Sequence, residues 1–290
     1  MDDVRLFEKE IGFRKYQKDN CWGGFQVDFN RQTAFMYPSM VSPINLGISL
    51  LSVNLKGEKL FAIKVKEAFR SRTDNIVRRM KEIGNRGIKS LFTKGTRWAV
   101  DTAFGEEEDM KYTEFSGVFS FSDPTVISHE AFEVAKEFLT DFSDFEIKFW
   151  RMEFVEDHKS SKEGSMYITI LGGPGGFSDT VATGLKKSKY SSDEGRAGYS
   201  ALACVANYAW ARRQIVKGLI EMAVYDAFGK SIKTKKLWDE SLNIIHDDGQ
   251  TLTYRKNAVG NLLPRLCKDE NGLFFVNNDG KIGRMVSIDV

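Results

Sequence analysis

The chain has 290 residues, of which 42% are hydrophobic and 28% charged, with 22 Phe and only five Pro. That composition excludes a disordered or linker-rich protein, and no run of eighteen uncharged apolar residues offers a membrane span. The formal net charge is +2, so attraction to an anionic partner has to come from local blocks of charge.

Such blocks exist. Residues 61–100 hold eleven Lys/Arg against three Asp/Glu, residues 101–160 hold five against sixteen, and residues 186–236 hold eleven against four. Alternation of this kind either cancels in space across solvated helix faces or leaves a positive face that attracts phosphates. Cys21, Cys204 and Cys267 are isolated and odd in number, which argues against a disulfide framework and for a reducing compartment. The start Met1-Asp2-Asp3-Val4-Arg5 has no apolar run after a basic stretch, so a cytoplasmic location is expected. The histidines, His129, His158 and His246, lie far apart, and no metal site is expected from them.

In chain order, 25–29 alternates in polarity and predicts a strand, 47–55 predicts a mostly buried strand, and 61–66 fits either a strand or a helix. Residues 72–83 predict a basic helix, with Gly84, Gly87 and Gly95 breaking the chain after it. Ser128 is a good N-cap for a helix over about 129–140, with Ala131, Phe132, Ala135 and Leu139 inward. Residues 145–155 and 166–171 predict strands. The longest helix is predicted over 198–228, where Ala201, Ala203, Ala206 and Ala209 allow close packing and Gly229 ends it. Short strands follow at 251–255, 273–276 and 284–289. The irregular interleaving predicts an α+β protein, one domain over 1–290 with a large mixed β-sheet flanked by helices.

Gly172-Gly173-Pro174-Gly175-Gly176 follows a strand. Glycines there could turn backbone N–H groups onto an anion, or could form a strained turn, since neither GxxxxGK[ST] nor GxGxxG is present. Arg255 and Lys256 form a basic pair at the end of a strand, suited to phosphate or to ordinary surface charge. Arg212 and Arg213 follow Trp210 inside the long helix; they could stack on a base or snorkel around a buried helix, and the second reading is favoured. His246-Asp247-Asp248-Gly249 reads first as a turn.

Several segments in the same order resemble the RtcB-type RNA ligases. Ser42-Pro43-Ile44-Asn45-Leu46-Gly47 with Leu50–Leu55 is similar to that family's D-I-N-C-G and the strand after it. Residues 206–214, Ala-Asn-Tyr-Ala-Trp-Ala-Arg-Arg-Gln, resemble A-N-Y-A-W-A-N-R-Q, the most specific match. Residues 254–259, Tyr-Arg-Lys-Asn-Ala-Val, resemble H-R-K-G-A-T; Asp279–Gly283, including Lys281, resembles P-G-S-M-G; and Leu242-Asn243-Ile244 resembles H-N-I. The resemblance implies an enzyme that joins a 3′-phosphate or 2′,3′-cyclic phosphate RNA end to a 5′-hydroxyl, using GTP, two manganese ions and a guanylylated histidine. The departures fall on the chemistry. Pro43 and Leu46 stand where the family has Asp and Cys. Leu242 stands for a histidine, Leu171 for the histidine of H-S-G-S-R-G, and Tyr254 for the histidine that carries GMP. No Asn or His occurs near Glu146–Glu153, where G-N-H-F is due, and the match stops without the family's C-terminal segment. Leu and Pro offer no metal donor.

The resulting expectation is a pseudoenzyme with no catalytic residues, no metal and no cofactor, which binds RNA through Arg255, Lys256, Arg212, Arg213 and Lys281 beside the glycine loop of Gly172, Gly173, Gly175 and Gly176. Two other readings stand beside it. One is a protein-interaction or assembly factor on the same scaffold. The other is an active GTP-dependent ligase with relocated ligands.

Overall fold

A computed structural model describes residues 13–18, 24–32, 34–36, 46–56, 59–156, 159–161, 165–256, 258, 265–269, 272–276 and 282–288. In chain order the elements are β1 (Phe13–Lys18), β2 (Phe25–Asn30), β3 (Phe35–Met36), β4 (Gly47–Lys56), α1 (Lys59–Lys81), α2 (Asn85–Lys94) and α3 (Thr96–Asp101). Short 3-10 turns occupy Glu107–Tyr112, Glu114–Gly117 and Pro124–Val126. They are followed by α4 (His129–Leu139), β5 (Glu146–Glu156), β6 (Lys159–Ser161), β7 (Ser165–Gly172), α5 (Gly176–Gly184), β8 (Ser188–Lys189) and α6 (Asp193–Phe228). The last strands are β9 (Thr234–Ser241), β10 (Ile244–Asp247), β11 (Thr251–Lys256), β12 (Arg265–Asp269), β13 (Gly272–Val276) and β14 (Ile282–Ser287).

The axis of the fold is α6. Every residue from Ala201 to Ile220 is buried, so this helix has no solvent face over that stretch, as its small-residue content allows. Ser192 caps its start, its hydroxyl accepting from the Gly195 N–H at 3.1 Å, and Gly229 ends it with φ +74°. The large sheet runs β12-β13-β14-β5-β7-β4-β9, with β6 added on β5. Its side chains sort by period two. Met166, Ile168 and Ile170 of β7 and Leu51 and Val53 of β4 join the main core with α6. Ile48, Leu50, Trp150, Met152, Tyr167 and Trp238 form a second apolar cluster. A four-stranded sheet, β1-β2-β11-β10, stands apart from the large one.

The α+β class, with helices flanking a large sheet, holds. The expected mixed sheet is instead antiparallel at every named strand pair among the described residues. Residues 61–66 are helical, because Phe61, Ala62 and Val65 are buried at helical spacing. The Phe61 ring stacks on Phe228 of α6 at 5.0 Å. Gly87, expected to break the chain, lies inside α2, while Gly95 does separate two helices with φ +53°.

Asn207 ties α6 to the segment before α4. Its amide N–H groups donate to the carbonyls of Phe92 at 2.7 Å and Phe119 at 3.0 Å, and its oxygen accepts from the Phe119 N–H at 2.7 Å. Removing a buried amide that serves several backbone groups leaves them unsatisfied. Asn207→Ala should therefore lower unfolding free energy by about 2–3 kcal/mol in urea denaturation.

Candidate functional site

The arginines of α6 point inward. Arg213 is fully buried, and its Nε donates to Asp239 of β9 at 2.9 Å. Ser49 of β4 donates to the other Asp239 oxygen at 2.7 Å. A Cβ at Gly47 would lie 2.6 Å from the Arg213 guanidinium, so glycine is what admits the arginine between helix and sheet. One turn on, Lys217 pairs with Asp109 at 2.7 Å and with Glu221 at 2.6 Å. Gln214 donates to Asp109 and to the Phe104 carbonyl, both at 2.8 Å. Lys236 of β9, also buried, donates to Thr113 at 3.0 Å and lies 3.5 Å from Asp239.

Arg255 completes this polar core from β11. It reaches Glu114 at 2.6 Å, Glu240 at 3.2 Å and the Ser241 carbonyl at 2.6 Å. Glu114 in turn accepts from the Ser241 N–H at 2.9 Å. Arg212 makes a separate two-pronged pair with Asp144, at 2.8 and 2.9 Å, and lies 4.8 Å above the Phe145 ring.

These positions correct the expected phosphate site. Arg212, Arg213 and Arg255 are held inside the protein by acids, because a buried guanidinium is stable only when paired. Lys256 is half-buried at the end of β11, and Lys281 and Pro43 lie outside the described residues. The glycine loop offers carbonyls rather than N–H groups to its charged neighbours: Gly173 accepts from Arg212 at 2.7 Å and Gly172 from Arg213 at 3.3 Å. Aromatic rings cover it closely, so a Cβ at Gly172 would meet Phe145 at 2.2 Å, and one at Gly175 or Gly176 would meet Phe138. The loop is built as a packed turn.

The positions matched to metal ligands converge in part. The Leu242 N–H donates to the Leu46 carbonyl at 2.8 Å, and Leu242 and Leu171 belong to one apolar cluster with Ile48 and Trp238. Tyr254 is buried on β11 in the main core. Among the described residues no group of three or more His, Cys, Asp or Glu is placed to hold a metal ion.

Sequence reasoning missed Asp109, Glu114, Lys217, Lys236, Asp239 and Glu240. The available signal was Arg-Arg-Gln within an apolar helix, which demands buried acids from elsewhere. Burial alone would push the Asp239 carboxyl up, but Arg213 and Lys236 together outweigh it and hold it below its ordinary value. Asp109 is likewise lowered, with Lys236 and Lys217 outweighing burial. A depressed carboxyl contributes stability above the unfolded value of about 4, and that contribution is lost as pH falls through the folded one. Asp239→Asn keeps the shape but strands Arg213, and should cost about 3–5 kcal/mol. Its stability should also decline less steeply than the parent's between neutral pH and acid, which urea melts across that range will measure.

No protein-family model matches the chain. Among curated proteins it is similar to the tRNA-splicing ligase RtcB of Methanocaldococcus jannaschii, 22% identical over 89% of this chain and 31% of the relative. The same name belongs to relatives from Archaeoglobus fulgidus, 24% identical over 79% of this chain and 53% of the relative, and Methanococcus maripaludis, 25% identical over 82% and 55%. The chain spans about a third to a half of the length of these relatives. Their name is that of an enzyme, and this corrects the expectation of a non-enzyme: donors missing from matched positions do not demonstrate inactivity. Across 70–89% of its length, the chain is thus similar to RtcB-type RNA ligases.

Proposed function

We propose that the chain acts on RNA and holds its phosphates on the exposed basic face where α1 meets α2. The observation that carries this reading is the contrast in exposure among the cations. Arg212, Arg213 and Arg255 are buried and each is paired with an acid, whereas Arg78, Lys81, Arg86 and Lys89 are exposed. Within each helix these residues are spaced i, i+3 and share a face. None of the four has an ion-pair partner among the described residues. The relatives' name supplies the substrate class, since a tRNA-splicing ligase works on RNA.

The same geometry limits the path of the RNA. Lys81 borders a groove whose other wall is α4, with Glu130, Glu133 and Glu137 along it. Those carboxylates repel phosphate, so the backbone lies on the outward side of α1 and α2. Binding of this kind is electrostatic and largely independent of sequence, and it weakens steeply with salt because counterions are released.

Filter binding with cleaved tRNA halves at two salt concentrations tests the reading. Changing Arg78, Lys81, Arg86 and Lys89 to Glu should lower low-salt affinity by about tenfold or more. It should also flatten the log–log salt slope by roughly 0.9 for each phosphate that is no longer neutralised. Affinity and slope equal to the parent's would overturn it. The same samples on a denaturing gel report joining, the activity in the relatives' name.

A further inference from the structure

Away from the polar core, a cavity of about 470 Å³ opens where the segment after β2, the start of α6 and the end of β10 meet. Among its lining residues are Arg31, Phe121, Tyr190, Arg196, Tyr199 and Asp247. None of Leu46, Leu171, Leu242 and Tyr254 is among them. Its volume suits a small molecule.

The walls divide by chemistry. Phe121 is 56% exposed, among the most exposed large apolar side chains among the described residues, and its ring lies 6.2 Å from that of Tyr199. An aromatic face left open to water beside two arginines gains nothing from folding. Arg31 is fixed from behind: its Nε pairs with buried Asp247 at 2.9 Å, and a terminal nitrogen donates to the Gly249 carbonyl at 3.1 Å. Asp247 is held in turn by the Tyr190 hydroxyl, while its own N–H donates to Tyr199 at 3.0 Å. The guanidinium is thus oriented with donor capacity remaining. Arg196 stands on the first turns of α6, donating to the Ser191 carbonyl at 2.6 Å and pairing with exposed Asp193. Lys186, Lys187 and Lys189 are exposed on the approach through β8, against exposed Glu194 and Asp248.

We propose that this cavity binds a nucleoside phosphate, with the base against Phe121 and the phosphate between Arg31 and Arg196. Aromatic rings hold bases of any identity by stacking, and arginine forks match phosphate oxygens. The nucleotide comes either free from solution or as the terminal residue of an RNA strand. The inference stands on the cavity alone and does not depend on the basic face of α1 and α2.

Calorimetric titration of the full chain with GMP, AMP and a short 3′-phosphorylated RNA tests it. Phe121→Ala and Arg196→Gln alter exposed side chains, and circular dichroism confirms that each variant folds. Arg31 is left intact because its loss would strand Asp247. If free nucleotides fill the cavity, GMP or AMP binds the parent and each variant weakens that binding about tenfold or more. If an RNA end fills it, the mononucleotides do not bind and the RNA is weakened by the same variants. The quadruple change on α1 and α2 should leave mononucleotide affinity unaltered, which separates failure of this site from failure of the RNA-binding face. Absence of any nucleotide or RNA binding that responds to Phe121 and Arg196 would overturn the proposal.

Discussion

The Arg213–Asp239 ion pair sets the terms for the structure around it. Both side chains are fully buried, and two ions taken out of water cost several kcal/mol each before they attract one another. The pair persists because its remaining valences are filled. Ser49 supplies a hydroxyl to Asp239, Lys236 a second cation, and Gly172 a carbonyl to Arg213. Each of these groups sits on a different strand of the large sheet, and Gly47 on β4 leaves the space. Sliding α6 by one turn would part Arg213 from Asp239 and strand that carboxylate, so the pair fixes the register of helix on sheet more than it adds net stability.

Around that pair the interior keeps two kinds of territory apart. Arg213, Lys217, Lys236 and Arg255 face Asp109, Glu114, Asp239 and Glu240 in one connected polar region. Leu171 and Leu242, which stand at positions the family resemblance assigns to metal ligands, lie in the apolar cluster with Trp238 and Tyr167. The turn at 171–173 serves both: Leu171 enters the apolar cluster, while the carbonyls of Gly172 and Gly173 accept from Arg213 and Arg212. Both leucines contribute through the apolar surface they bury in that cluster.

What could be read from the sequence follows the range of the interactions involved. Helices α4 and α6 and strands β2, β4, β5 and β7 were legible because caps, small residues and period-two alternation are local. β9 and β10 were not, since Lys236, Asp239 and Glu240 of β9 make a charged string that resembles a surface loop, and the end of β10 runs into His246-Asp247-Asp248-Gly249, which reads as a turn. Only distant partners, Arg213 on α6 and Arg255 on β11, make the charged residues of β9 interior. The same distance hid the role of the arginines: Arg212 and Arg213 read as snorkelling or base-stacking groups until Asp144 and Asp239 were brought to them. Arg255 and Lys256 looked like one phosphate clamp, yet a strand alternates its faces, and Arg255 turns into the polar core between Glu114 and Glu240. The cavity beside Phe121 draws on residues from 31 to 247, and no local pattern announces it.

Counting charge along the chain therefore misjudges where the protein is positive. The block at 186–236 has eleven bases, but Arg212, Arg213, Lys217 and Lys236 are buried among acids and cancel at contact distance, where little field escapes. The cations of that block that face water sit at its ends, Lys186, Lys187, Lys189 and Arg196 before the buried stretch and Lys230, Lys233 and Lys235 after it. In α1 and α2 the arrangement is reversed, with apolar residues inward and most of the bases outward. An approaching polyanion responds to charges within about a Debye length of the surface, roughly 8 Å at physiological salt. It would meet α1 and α2 and the rim of the Phe121 cavity, while the arginines most conspicuous in the sequence would remain out of its reach.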